Sequence, residues 1–178
     1  MLLSADALTA RARTLRLLLF DVDGVLTDGA VAIHGGGSEA KNFFIRDGAA
    51  IVWAQRLGLP VGFLSGRPSQ ATTRRAAELG VSLVVQGDTN KGAAYSHILS
   101  TRALADEHVA YMGDDLLDLP VLARVGFSAA PADATDDVRT RVHWVSRHPG
   151  GRGAVRELIE LVLRARGQWD PFIESFLT

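Results

Sequence analysis

The chain has 178 residues, 47% of them hydrophobic and 22% charged, with a formal net charge of −1. That balance suits a globular protein with a full core and makes no electrostatic case for nucleic acid or an anionic membrane surface. The lack of cysteine excludes disulfides, thiolate metal sites and thiol nucleophiles.

No apolar run approaches the roughly 20 residues that a membrane span needs. The opening "MLLSADALTARARTLRLLLF" lacks the basic-then-apolar order of a signal peptide, because Asp6, Arg11, Arg13 and Arg16 interrupt it. The expectation is a cytoplasmic protein forming one domain over 1–178.

In chain order, "RLLLF" (16–20) predicts a first, buried strand. "GAVAIHGGGSEAKNFFIRDG" (29–48) has two short runs around Gly35-Gly36-Gly37, which predict a β-hairpin flap over about 29–46. "GAAIVWAQRLGL" (48–59) predicts a helix closed by Gly58, "PVGFLSG" (60–66) a second sheet strand, and "SQATTRRAAELGV" (69–81) a helix ending at Gly80. "SLVVQG" (82–87), "HVAYMGD" (108–114), "GFSAAP" (126–131) and "HWVS" (143–146) predict further strands. Between them lie helical stretches at 91–104 and 118–126, and "GAVRELIELVLRARGQW" (153–169) predicts an amphipathic terminal helix. Strands alternating with helices of this length indicate an α/β fold: a Rossmann-like parallel sheet with helices on both faces, plus the flap.

Ligands of open α/β sheets bind outside the carboxyl ends of the strands, so the residues there are the candidates. Asp21 and Asp23 follow the first strand; Ser65, Gly66 and Arg67 follow the second; Gln86, Gly87, Asp88, Asn90 and Lys91 follow the third; "GDDLLD", with Asp114, Asp115 and Asp118, follows the fourth. A purely structural rim seldom concentrates this much charge. Singly, the signals are weaker. Asp21/Asp23 before a glycine reads equally as turn chemistry, and Ser65-Gly66 marks many turns. Lys91 opposes the dipole at a helix start, so an anion nearby would explain it. Asp114 and Asp118 are spaced i,i+4, which could place both on one helix face, where like charges destabilise without a cation. The five histidines lack metal-ligand spacing and read as surface or loop residues.

These residue types fit phosphoryl transfer. One carboxylate can accept a phosphoryl group and the other can pass the proton. Oxygen-only ligands favour a hard cation, and Mg²⁺ is the usual companion of phosphate. Lys91 and the Ser65 hydroxyl would neutralise the non-bridging oxygens.

"DVDGVLTDG", "SGR", "NK" and "GDDLLD", in this order, resemble the four motifs of haloacid dehalogenase-superfamily phosphatases. "KNFFIRDG", "QGDTNK", "VAYMGDDLLDLPVL" and "GGRGAVREL" extend the resemblance to the capless 3-deoxy-D-manno-octulosonate 8-phosphate (KDO 8-phosphate) phosphatase family, from about Leu17 to the terminal helix. The resemblance implies a Mg²⁺-dependent phosphatase of lipopolysaccharide biosynthesis and a homotetramer whose active sites are completed by a neighbouring subunit. It implies Asp21 as nucleophile and Asp23 as acid/base. It implies metal ligation by Asp21, the Asp23 backbone carbonyl and Asp114, phosphate binding by Ser65 and Lys91, and supporting acids at Asp115 and Asp118.

Substrate-binding candidates are Arg46 and Asp47 at the foot of the flap, Gly66, Arg67, and Arg152 in "GGRG"; Arg156 reads equally as an exposed helix residue. Arginine suits a sugar-acid carboxylate because its planar fork can engage both oxygens. The chain departs from the family pattern at Phe44 and Ala50 and in the hairpin tip, so a nine-carbon ulosonic acid 9-phosphate is the second candidate substrate. From different classes come a receiver-like phosphoacceptor domain and a non-catalytic tetramerisation domain. The acid pair preceding "GDD" disfavours the first, and the full set of motif acids disfavours the second.

Overall fold

The computed structural model describes residues 2–177. Its elements run α1 (Ala5–Thr14), β1 (Leu17–Phe20), β2 (Ala32–Ile33), β3 (Glu39–Ala40), α2 (Ile45–Arg56), β4 (Val61–Ser65), α3 (Gln70–Glu78), β5 (Leu83–Gln86) and α4 (Lys91–Arg102). They continue with β6 (Val109–Met112), a 3₁₀ turn (Leu116–Asp118), α5 (Leu119–Leu122), β7 (Phe127–Ala130), α6 (Asp136–Arg139), β8 (Trp144–Val145), α7 (Ala154–Ala165) and α8 (Trp169–Glu174).

Six strands form one parallel sheet in the order β5-β4-β1-β6-β7-β8. All four β1 residues are buried, as a central strand covered on both faces requires. Successive side chains point to opposite faces, and β1 divides accordingly. Leu18 and Phe20 enter the core with Ile51 of α2 and Leu158 and Val162 of α7. Leu17 and Leu19 enter the opposite core with Tyr95 and Ile98 of α4. Burial of both faces leaves only the strand ends for function. Leu18 and Phe20 lie beside Val61 and Phe63 of β4 and Ala110 and Met112 of β6, so the loops after β1, β4 and β6 emerge side by side.

The fold agrees with the α/β reading, with four differences, the smallest being the unexpected one-turn helix α6. Helix α1 was not among the expected elements; a single buried residue, Ala12, leaves no apolar stripe to read, and its N-terminus is set by the Ser4 side chain accepting from Ala7 N–H. Helix α2 starts at Ile45, so Arg46 and Asp47 belong to its first turn rather than to the flap. The terminal segment breaks after Ala165 and resumes as α8, whose Trp169 and Phe172 pack against Trp53 of α2 with tilted rings. The flap itself is a two-residue antiparallel pair, β2 with β3, as expected around Gly35–Gly37.

Candidate active site

The chain leaves β1 through a tight turn in which Val25, Leu26 and Thr27 N–H groups all donate to the Val22 carbonyl. Gly24 lies at φ +82°, and a β-carbon there would run into the Asp114 carboxylate, so a side chain is excluded by both conformation and space. From the far end of the chain, Gly150 packs so closely on the Gly24 carbonyl that it too has no room for a side chain. Two loops that are distant in sequence therefore brace the Asp21–Gly24 turn.

At the mouth of β1, Lys91 Nζ lies 2.8 Å from Asp21 Oδ2 and 2.5 Å from Asp118 Oδ1. The Tyr111 hydroxyl, from β6, also donates to Asp118 Oδ1 at 2.5 Å. The other Asp118 oxygen accepts from the backbone N–H groups of Asp114 and Asp115 at 2.9 and 3.2 Å. Asp118 is thus fully committed to holding Lys91 and the loop after β6. Asp114 is held by its main chain: its N–H donates to Asp118, and its carbonyl accepts from Thr135 N–H at 3.0 Å.

Burial dominates the electrostatics. It pushes the Asp21 carboxyl up to about 7, and Asp118 adds to the rise against the opposing pull of Lys91. It pushes Asp114 up to about 8, reinforced by Asp21 and Asp118. For Lys91, burial works to lower the value, but Asp21 and Asp118 outweigh it and hold the ammonium above its ordinary range. Asp21, Asp114 and Asp118 each offer a carboxylate oxygen within 4.8 Å of the others. No hydrogen bond reaches the Asp114 carboxylate among the described residues. An all-oxygen cluster whose Asp114 carboxylate has no such partner, beside an Asp21 carboxylate only partly neutralised by Lys91, fits a hard divalent cation.

These groups line a cleft of about 330 Å³ with Asp23, Gly24, Gly29, Ser65, Gly66, Arg67, Asp115 and Leu117. Ser65 is buried and its hydroxyl is tied to the Arg67 backbone, accepting from N–H at 3.3 Å and donating to the carbonyl at 3.2 Å. Asn90 caps α4 by accepting from Ala93 N–H, which fixes Lys91 in the first helical turn.

A family described as haloacid dehalogenase-like hydrolases matches residues 77–158. The 3-deoxy-D-manno-octulosonate 8-phosphate phosphatase KdsC of Escherichia coli K12 is 45% identical over 94% of this chain and 88% of its own. The chain belongs to the KDO 8-phosphate phosphatase family. It is a phosphatase. Among solved structures, the Moraxella catarrhalis KDO 8-phosphate phosphatase in complex with magnesium, phosphate and KDO matches with a TM-score of 0.94 and 33% identity, over 96% of this chain and 98% of that one. The cobalt-bound Haemophilus influenzae phosphatase matches with a TM-score of 0.90 and 36% identity, over 94% and 99%.

Within this family member, the structure brings together Asp21, Asp23, Ser65, Gly66, Arg67, Lys91, Asp114, Asp115 and Asp118 at one cleft. Three expectations are corrected. Asp114 and Asp118 do not share a helix face: Asp114 precedes the 3₁₀ turn, and Asp118 closes a capping box with Asp115. Asp47 does not face the cleft, because its buried carboxylate accepts from Gly153 N–H at 3.2 Å and Arg156 N–H at 2.8 Å. Arg156 pairs with Glu160 at 2.6 Å and covers the Trp53 ring, a packing role. Arg46 and Arg152 are exposed and outside the cleft lining, with Arg152 4.0 Å from Asp28. Phe44 and Ala50 also lie outside that lining; Ala50 is part of the core. Sequence reasoning missed Tyr111, which holds Asp118; Lys41, whose ammonium lies 2.7 Å from Asp23; and Glu39, 2.6 Å from Arg67. A tyrosine on a central strand, whose hydroxyl requires a partner, was the one available signal.

Proposed function

We propose that the chain hydrolyses KDO 8-phosphate to KDO and inorganic phosphate. The observation that carries this reading is the 45% identity to the Escherichia coli enzyme over 94% of the chain, together with a cleft lined by Asp21, Asp23, Ser65, Lys91, Asp114 and Asp118. An Asp21 oxygen attacks phosphorus and forms an aspartyl-phosphate; the sugar C8 oxygen leaves with a proton from Asp23. Asp23, now a carboxylate, takes a proton from water, whose oxygen attacks phosphorus and returns Asp21 with release of phosphate. Lys91 and the Ser65 hydroxyl hold the non-bridging oxygens, and Asp118 with Tyr111 holds Lys91 in place. Asp21, Asp114 and the Asp23 carbonyl would hold Mg²⁺, which supplies charge neutralisation at the transferring phosphoryl group.

Arg67 is the cationic side chain at the cleft best placed to meet a substrate carboxylate. A homotetramer with active sites completed by a neighbour is the assembly we infer. It is supported by a two-residue hairpin that stands outside the main sheet and by Ile33 at its edge, 74% exposed. Phe43 and Phe44, at the foot of the flap, are half-buried and add little to this surface, and Phe43 leans on the core. No helix among the described residues is long and apolar enough to cross a membrane, and we place the reaction in the cytoplasm.

Phosphate release from KDO 8-phosphate, measured beside hexose phosphates that lack the carboxylate, tests the reading. A clear kcat/KM advantage for KDO 8-phosphate that disappears in EDTA supports it. Equal rates on all substrates, or full activity in chelator, overturns it.

A further inference from the structure

Lys41 is the one cation in the flap, and its side chain is 0% exposed. A lysine is almost never fully buried unless paired, because the ammonium loses its hydration. Its partner is Asp23: Lys41 Nζ lies 2.7 Å from Asp23 Oδ1 and donates to Oδ2 at 2.9 Å. Both carboxylate oxygens therefore face one buried ammonium that comes from a different part of the chain.

Lys41 follows β3 directly, two residues after Glu39. In extended backbone, residues two apart project to the same side. Glu39 reaches Arg67 at 2.6 Å, so the descending limb of the flap touches the loop after β4 through one charge and the turn after β1 through the other. The two pairs are not equivalent. Arg67 and Glu39 are partly exposed, where an ion pair is worth little and can yield to an incoming anion. The Lys41 side chain is out of solvent, and breaking its pair would strand a charge.

We propose that Lys41 is a positioning residue for proton transfer: the flap, through its ammonium, holds the Asp23 carboxyl in the orientation that delivers a proton to the leaving sugar oxygen. The proposal rests on the reading of Asp23 as the acid/base. It makes the flap a working part of the leaving-group step, in addition to whatever surface it offers to other chains. The Glu39–Arg67 pair then acts as the releasable contact beside it.

The test separates leaving-group chemistry from structural support. Sugar alkoxide leaves poorly without a proton, whereas p-nitrophenolate needs none. The quantity compared is kcat/KM, which reports the first, leaving-group step, for KDO 8-phosphate and for p-nitrophenyl phosphate. Lys41→Met is expected to lower the KDO 8-phosphate value by about tenfold or more, within the range general acid help is worth, and p-nitrophenyl phosphate by no more than about threefold. Lys41→Arg, which keeps a paired cation, is expected to recover most of the loss. Lys41→Gln, which keeps one donor and serves if the Met variant does not fold, is expected to show the same split.

Equal loss on both substrates, or no loss on either, overturns the proposal. Asp23→Asn runs in parallel and distinguishes the two failures. If Asp23→Asn itself shows no substrate-dependent split, the acid/base reading has failed. If it shows the split and Lys41→Met does not, Lys41 alone has been misassigned.

Discussion

Asp47 ties together two segments more than 100 residues apart, and removing its carboxylate should be costly in stability rather than in substrate binding. Gly153, at the cap position before helix α7, has no side chain to cap it and sits at φ +114°. The cap comes from Asp47 in the first turn of α2, only 1% exposed, through its bonds to Gly153 and Arg156 N–H. In Asp47→Ala both donors lose their acceptor inside the protein. A lost cap is worth about 0.5–2 kcal/mol, and a buried unsatisfied donor costs about 1–3 kcal/mol.

Against this, the mutation removes the cost of burying a carboxyl whose pKa is raised by desolvation. The balance is a loss of about 2–4 kcal/mol, or a fall in Tm of about 5–15 °C for a chain of this size. Asp47→Asn keeps the acceptor for Arg156 and should lose about half as much. Because the folded pKa of Asp47 lies above its unfolded value, its contribution is fully present at acidic pH and declines as pH rises through the folded pKa. The Tm gap between wild type and Asp47→Asn should therefore be widest near the ordinary carboxyl pKa of about 4 and narrow as pH rises above it. Thermal unfolding followed by circular dichroism measures all three. A Tm for Asp47→Ala within about 2 °C of wild type, with KM for KDO 8-phosphate raised instead, would refute the capping role and restore Asp47 as a substrate contact.

Three further outcomes follow from the site. In chelator, Asp21 and Asp114, raised to about 7 and about 8, contribute stability that is complete near pH 4 and lost as pH rises through those values. Tm of the metal-free protein should fall between pH 5.5 and 8.5, and the gain in Tm on adding Mg²⁺ should be larger at pH 8.5; a gain independent of pH would contradict this. Gly24→Ala should lose at least about tenfold in activity and weaken Mg²⁺ binding by calorimetry, since the new methyl group takes the space of the Asp114 carboxylate; unchanged Mg²⁺ affinity would contradict it. Light scattering should give a tetramer, and Ile33→Asp should shift it toward smaller species; an active wild-type monomer of 19.1 kDa would contradict the assembly.

Much of this was legible in the sequence because a parallel sheet sends function to its strand ends. Asp21, Ser65, Lys91 and Asp114 each follow, or lie a short loop beyond, a short apolar run, and those runs became β1, β4, β5 and β6. What was not legible depends on tertiary pairing. A lysine at the foot of a glycine-rich hairpin reads as a solvated charge, yet Lys41 is buried against Asp23. Asp47 reads as an acid near the flap, but its partners lie 106 and 109 residues on, at a helix start whose glycine gives no hint of an external cap. Asp118 follows Asp114 at helical spacing, but Pro120 at the start of α5 and the 3₁₀ turn before it direct its oxygens to Lys91 and to the backbone.

The central claim is that phosphoryl transfer runs through Asp21. Acid quenching during turnover of KDO 8-phosphate carrying radiolabelled phosphorus tests it most directly. The account predicts label bound to protein early in turnover, localised by peptide mapping to the segment holding Asp21. It predicts none in Asp21→Asn, which should nonetheless fold and bind Mg²⁺. Normal phosphate release by Asp21→Asn, or label on another residue, would contradict it.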